Sequence, residues 1–175
     1  VTAPLVGRRY ASYLLEVGSS APSSSGDSRM EHRTATPSDL AKVFGQIAER
    51  MTEEYKAAGG SEQSAKDALL MDLREGRAHT ILRNGDPVAI IAWHESGGSA
   101  VTSFAADESF FAASSVRFCR RHIRRIQALC GNVPVYYRSW SERDDVSRWF
   151  RIIGFEPIGA TNGARMFVLH PAPGG

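Results

Sequence analysis

From about residue 30 the spacing of apolar positions changes repeatedly, and each change marks an element. Glu31 to Ala35 reads as a short strand. Thr36, Pro37 and Asp39 form a helix start, with Thr36 as N-cap and Pro37 in the first helical position. Leu40, Val43, Phe44, Ile47, Ala48 and Met51 then form one apolar stripe, which predicts a single helix running to Gly59-Gly60. Ser61 opens a second helix carrying Ala65, Ala68, Leu69 and Leu73 and ending at Gly76. Strands are predicted at Thr80 to Arg83 and Val88 to Trp93, joined by the tight-hairpin pair Asn84-Gly85. Gly97-Gly98 turns into a third strand, Ala100 to Ala105. A long helix is expected from Glu108 to Leu129, then a strand at Pro134 to Ser139. Ser141 and Asp144 have the spacing of a capping box for a last helix that stops at Gly154. Phe155 to Gly159 and Arg165 to Leu169, linked by Asn162-Gly163, close the pattern. This order is an α+β layout with a mixed sheet.

Residues 1–29 read differently. Tyr10, Tyr13, Leu14 and Val17 fall at i, i+3, i+4 and i+7, the stripe of a short amphipathic helix. Gly18 to Gly26 is a Ser/Gly-rich linker. The stripe is too short to hold a helix alone, so it reads either as a disordered tail or as an arm docked on another protein subunit. Met30 opens the domain-like part, so residues 1–29 also read as an extension upstream of an internal start. The expected organisation is an arm and linker over 1–29, a domain over 30–171 and a tail over 172–175.

A chain of 175 residues, 42% apolar and 23% charged, fits one domain with a real core. Its formal charge of +2 does not by itself point to nucleic acid. No apolar run approaches the roughly 18 residues of a membrane span. Arg8-Arg9 precede only a short apolar run, so no signal peptide is read there. Cys119 and Cys130 lie about 16 Å apart on one predicted helix, too far for a disulfide. No Cys/His spacing suggests zinc, and no metal site is expected. Arg117, Arg120, Arg121, Arg124 and Arg125 share one face of the long helix. That face complements the helix dipole and also suits a carboxylate-rich protein or phosphate. Aromatics do not interleave with it, which makes a nucleic-acid groove the weaker branch.

The run Val135 to Trp140, the helix Asp144 to Ile153 with Trp149-Phe150, and Gly154-Phe155 resemble the closing signature of the GNAT (GCN5-related N-acetyltransferase) superfamily. The resemblance implies a mixed, mostly antiparallel sheet with helices on both faces. It also implies acetyl-coenzyme A bound where two central strands splay, its pyrophosphate on a glycine-rich loop before the long helix. Here that loop is Ala105 to Ser115 and holds no glycine or basic residue. Ser109, Ala112, Ala113, Ser114 and Ser115 stand at the degenerate positions, with Asp107 and Glu108 before them. The family's tyrosine acid corresponds to Phe150, which has no proton to give. His94 and Glu95 are the remaining base candidates. The sequence is also similar, in Val101-Thr102-Ser103 and in Arg148-Trp149-Phe150, to the small GNAT-like internal virion protein of T-seven-type bacteriophages.

These readings combine into an expected non-catalytic structural or assembly protein that binds other virion proteins, in a virion or host cytoplasm, without a cofactor. The alternatives are an acetyl-coenzyme A-dependent N-acetyltransferase with an atypical cofactor loop and a non-catalytic coenzyme A-binding module. The expected partner surface comprises Tyr10, Tyr13, Leu14 and Val17 of the arm and the five arginines. The splay is expected to be filled by Phe110, Phe111 or Trp140.

Overall fold

The computed structural model describes residues 28–174. The expected arm residues Tyr10, Tyr13, Leu14 and Val17 lie outside them. The elements run β1 (Met30–Thr34), α1 (Pro37–Gly45), α2 (Glu49–Ala57), α3 (Glu62–Arg74), β2 (Ala78–Arg83), β3 (Asp86–Ser96), β4 (Ser99–Ala106), α4 (Val116–Leu129), β5 (Val135–Ser139), α5 (Asp144–Ile153), β6 (Glu156–Thr161) and β7 (Ala164–Leu169). The strands form one sheet in the order β1-β2-β3-β4-β5-β7-β6. Every neighbouring pair is antiparallel except β4 with β5, which run parallel.

Local chemistry explains most boundaries. Thr36 and Asp39 form a reciprocal capping box at α1, and Ser61 and Ser64 form one at α3. Asn84 and Gly85 both adopt positive φ, as a two-residue hairpin with right-handed strand twist requires. Gly154 ends α5 at φ 112° while Phe155 N–H returns to Phe150 O at 2.9 Å.

Three expectations are corrected. The stripe from Leu40 to Met51 is two helices, because Gln46 donates its side-chain amide to Pro87 O (2.9 Å) and Ala48 N–H bonds Ala106 O (2.9 Å). Those contacts turn the chain between Gly45 and Glu49 although the apolar spacing continues. The long helix starts at Val116, preceded by two 3-10 turns at Glu108–Phe111 and Ala113–Ser115. Ala112 sits between them in an extended conformation, with ψ 149°. Finally, α5 has no capping box: Arg143 is its N-cap, and Ser141 Oγ instead accepts from Arg143 N–H at 3.2 Å.

Two apolar layers cover the sheet. On one face Leu40, Val43 and Leu69 pack on Ala78, Ile90, Ala92 and Ala105. On the other, Cys119, Ile123 and Ile126 of α4 and Val146, Trp149, Phe150 and Ile153 of α5 pack on Ile81, Ile91, Trp93, Val135, Tyr137 and Phe167. Burial pushes the Cys119 thiol up to about 12, so it is an inert apolar filler. No described helix is long and apolar enough to cross a membrane.

Candidate active-site cleft at the splayed strands

The pairing of β4 with β5 is brief. Only Ala100 with Val135 and Val101 with Tyr136 register before the strands part. Ala100 N–H reaches Pro134 O at 2.9 Å. Alternation along a strand then aims the backbone groups of Thr102, Phe104 and Ala106 at the same edge. Beyond Thr102 that edge has no strand beside it. Helix α2 and its N-cap residue take up two of its carbonyls: Tyr55 OH donates to Phe104 O (3.1 Å), and Ala48 N–H to Ala106 O.

At the mouth of the splay lies a cleft of about 340 Å³ lined by Glu54, Tyr55, His94, Val101, Ser103 and Tyr137, among others. Glu54 projects from α2 and is buried. Its Oε1 accepts from Tyr137 OH at 3.3 Å and from Trp140 N–H at 3.2 Å. Burial raises its carboxyl pKa; hydrogen bonds from Ser139, Trp140 and Tyr137 oppose that rise without cancelling it. Burial, with Glu54 beside it, lifts the Tyr137 phenol well above its ordinary range. A carboxyl pushed toward neutrality in a cleft, hydrogen-bonded to a phenol, is poised to accept or return a proton.

The two base candidates from the sequence part company here. His94 lines the cleft. Glu95, next along β3, points to the opposite face, where its charge bears on Cys130. Sequence reasoning missed Glu54 altogether, because its position on α2 looks like an ordinary polar helix face.

Behind the cleft, on the α4–α5 side, aromatic rings fill the splay. Phe150 stacks on Tyr137 with centroids 4.2 Å apart and meets Phe167 at 5.0 Å. Phe110 and Phe111 set their edges against Trp149 at 5.6 and 5.5 Å. Trp140 lines the cleft rather than this layer. The cavity left among Phe104, Phe110, Tyr137, Trp149 and Phe150 is about 30 Å³, room for about one water. Arg50 closes the outside. Its guanidinium lies 4.4 Å over the Phe111 ring, pairs with Glu108, and reaches Asp145 at 3.4 Å.

The segment before α4 is chemically different from its sequence alone. Arg83 arrives from β2 and donates to Ser109 O (3.0 Å), Ser114 Oγ (3.1 Å) and Ser115 Oγ. Ser115, the N-cap of α4, gives no side-chain bond to the first turn. Asp107 is turned inward, accepting from Phe110 N–H, Ser109 OH and Gln46, and Glu108 is paired with Arg50. Small residues, an uncapped helix start and a nearby guanidinium suit a phosphate group. Arg83, Ser114 and Ser115 are the residues that would meet the phosphates of a coenzyme A-type cofactor and the cleft its acyl end, while Phe111 against Trp149 closes the stretch between.

All five arginines of α4 are exposed, yet three are bound within the chain. Arg120 donates to Ile152 O, Arg124 to Gln127 Oε1 and His170 O (both 2.6 Å), and Arg125 to His32 Nε2 (3.1 Å). Arg117 and Arg121 border a depression with Ser28, Arg29, Ser114 and Phe118.

No protein-family model matches the sequence, and no curated protein matches it. Solved structures match the fold. The PaiA N-acetyltransferase of Thermoplasma acidophilum, in complex with coenzyme A, superposes with a TM-score of 0.64 at 11% identity, over 82% of this chain and 99% of that one. A GNAT-family acetyltransferase from Bacillus anthracis gives 0.61 at 9% identity, over 81% and 95%. Aminoglycoside acetyltransferase AAC(6')-Ib, bound to ribostamycin and coenzyme A, gives 0.57 at 15% identity, over 81% and 93%. The chain has the GNAT fold.

Proposed function

We propose that this chain is an acyl-coenzyme A-dependent N-acyltransferase with an atypical cofactor segment, and that its amine acceptor enters the cleft beside Glu54. The observation that carries the reading is the buried Glu54, its carboxyl pKa raised by burial, at the point where β4 and β5 part. Similarity in fold to acetyltransferases with coenzyme A bound supports it. An acylating cofactor supplies the acyl group. The chain's own part is to orient the acceptor and to manage its proton. Tyr137 OH and Trp140 N–H hold the Glu54 carboxylate in place; its Oε takes a proton from the incoming ammonium, leaving a neutral amine and the neutral Glu54 acid. His94, on the exposed side of the cleft, offers a second polar contact to the acceptor. Phe150 provides a stacking wall and no proton, so proton return to a leaving group rests with Glu54 or Tyr137.

A second reading, a non-catalytic structural or assembly protein, draws on a different observation. Phe110, Phe111 and Trp149 fill the α4–α5 side of the splay, and α2 with its N-cap residue has taken the Phe104 and Ala106 carbonyls. Its partner surface is Arg117 and Arg121, the two arginines of α4 that make no hydrogen bond or ion pair among the described residues. A virion protein as that partner belongs to this reading only. Calorimetric titration with acetyl-coenzyme A separates the two. Saturable one-to-one binding in the micromolar range supports the transferase. No binding at millimolar cofactor, together with association lost on Arg117→Ala/Arg121→Ala, supports the structural role.

A further inference from the structure

Three of the chain's five histidines come from separate elements and meet away from the cleft. His32 stands on β1, His79 on β2 and His122 on α4. His32 pairs across the ladder with Ile81, two residues along β2 from His79, so both rings rise from the same face of the sheet, toward α4. His122 descends from the buried side of α4 to meet them. The ring centroids are 4.7 to 5.1 Å apart. One nitrogen from each ring lies within 4.8 Å of the other two.

We propose that His32, His79 and His122 form a site for a divalent transition-metal ion, zinc first, with a fourth position open to the depression beside Arg125.

Geometry carries the proposal. Two imidazole nitrogens on a tetrahedral zinc at about 2.0–2.1 Å are separated by about 3.4 Å. His79 Nδ1 and His122 Nε2 are 3.4 Å apart. That spacing is long for a direct hydrogen bond. The His32 nitrogen lies within 4.8 Å of both, so the third ligand would have to close by up to about 1.4 Å to reach the tetrahedral spacing. His122 is buried and turns Nε2, the nitrogen that would ligate, toward His79. Three imidazoles beside Arg125, with no carboxylate bonded to them among the described residues, form a costly cluster unless their lone pairs share a cation. Burial keeps His79 and His122 neutral at pH 7, the form that ligates.

The surroundings set the rest. Phe118 stacks on His122 and Trp93 sets its edge to His79, which fixes both rings. A depression of about 390 Å³, lined by His32, His79, Arg125, Ala128 and Leu129, opens on the outer side. Three imidazoles and one open position select zinc, cobalt, nickel or copper over calcium or magnesium. Arg125 now donates to His32 Nε2 at 3.1 Å. Its charge repels the incoming cation and favours an anion or hydroxide in the fourth position.

The untagged full chain, stripped with chelator, tests this by titration with Zn²⁺ in a calorimeter and with Co²⁺ by visible absorption. One equivalent of Zn²⁺ is expected at micromolar affinity or tighter, with intense cobalt bands of tetrahedral character and a raised thermal midpoint. His32→Gln, at a half-buried edge-strand position, should weaken Zn²⁺ at least tenfold with the circular dichroism spectrum intact. Arg125→Ala should bind Zn²⁺ more tightly than the parent. Absence of stoichiometric binding overturns the proposal. So does binding unchanged in folded His32→Gln, which would assign the ion to His94 or His170. If His79→Gln or His122→Gln fails to fold, His32→Gln and Arg125→Ala still decide the question.

Discussion

Replacing Phe111 with alanine should tighten acetyl-coenzyme A binding while making the protein less stable. The Phe111 ring is held by edge contacts to Phe110 at 5.4 Å and Trp149 at 5.5 Å and by Arg50 above it at 4.4 Å. Aromatic edge contacts contribute about 0.5–1.5 kcal/mol each, and a half-exposed cation–π contact about 0.5–1 kcal/mol. The set is therefore worth about 2–3 kcal/mol, since the contacts share one ring. The Arg50 ion pairs to Glu108 and Asp145 are partly solvated and add about 1 kcal/mol or less. A cofactor threading the splay must displace the ring first, which lowers its apparent affinity by roughly 30- to 150-fold. Phe111→Ala removes that cost beforehand. Urea unfolding should report the 2–3 kcal/mol loss, and calorimetry the gain in affinity. A destabilised variant whose acetyl-coenzyme A affinity is unchanged or weaker would refute the account of Phe111 as the closing residue.

Other outcomes follow from the same contacts. Burial holds the Glu54 carboxyl above its ordinary 4.5, so the folded state keeps that proton to higher pH than the unfolded chain does. Stability should therefore fall as pH rises from about 4.5 through the raised value, by at most about 1.4 kcal/mol per pH unit. Glu54→Gln should flatten that slope in denaturation curves from pH 4 to 8; an unchanged slope sinks burial as its cause. In α4, Arg117→Ala and Arg121→Ala should each cost about 0.5 kcal/mol or less. Arg124→Ala should cost about 1–2 kcal/mol, because Arg124 bonds Gln127 and His170 O; equal effects would contradict the assignment. Gly154→Ala should cost about 1–3 kcal/mol in the same assay. Its φ of 112° is the cause, since an added Cβ meets only Leu169 Cδ1 at 3.5 Å.

What the sequence revealed depended on whether the cause was local. Thr36-Pro37, Asn84-Gly85 and Gly154 act through their own dihedrals or a bond three residues away, and their turns and caps stand where the pattern puts them. The break between α1 and α2 depends on Pro87 O and Ala106 O, distant in sequence, so the unbroken apolar stripe concealed it. The same limit explains the cleft. Glu54 becomes special only when Tyr137 and Trp140 close over it, and the segment before α4 gains its cation from Arg83 on another strand. Helical spacing alone also gave no sign that Ile152, His170 and His32 bind three members of the arginine stripe.

Hydrogen exchange of the full chain with and without acetyl-coenzyme A tests most directly whether the splay is the working site. The account predicts slowed exchange, on adding cofactor, in two places together: the free edge of β4 from Thr102 to Ala106, and the small-residue segment from Ala112 into the first turn of α4. Residues on β6 and β7 should be unaffected. Unchanged exchange at both places with the cofactor in millimolar excess would contradict it, and so would protection confined to a surface remote from Glu54.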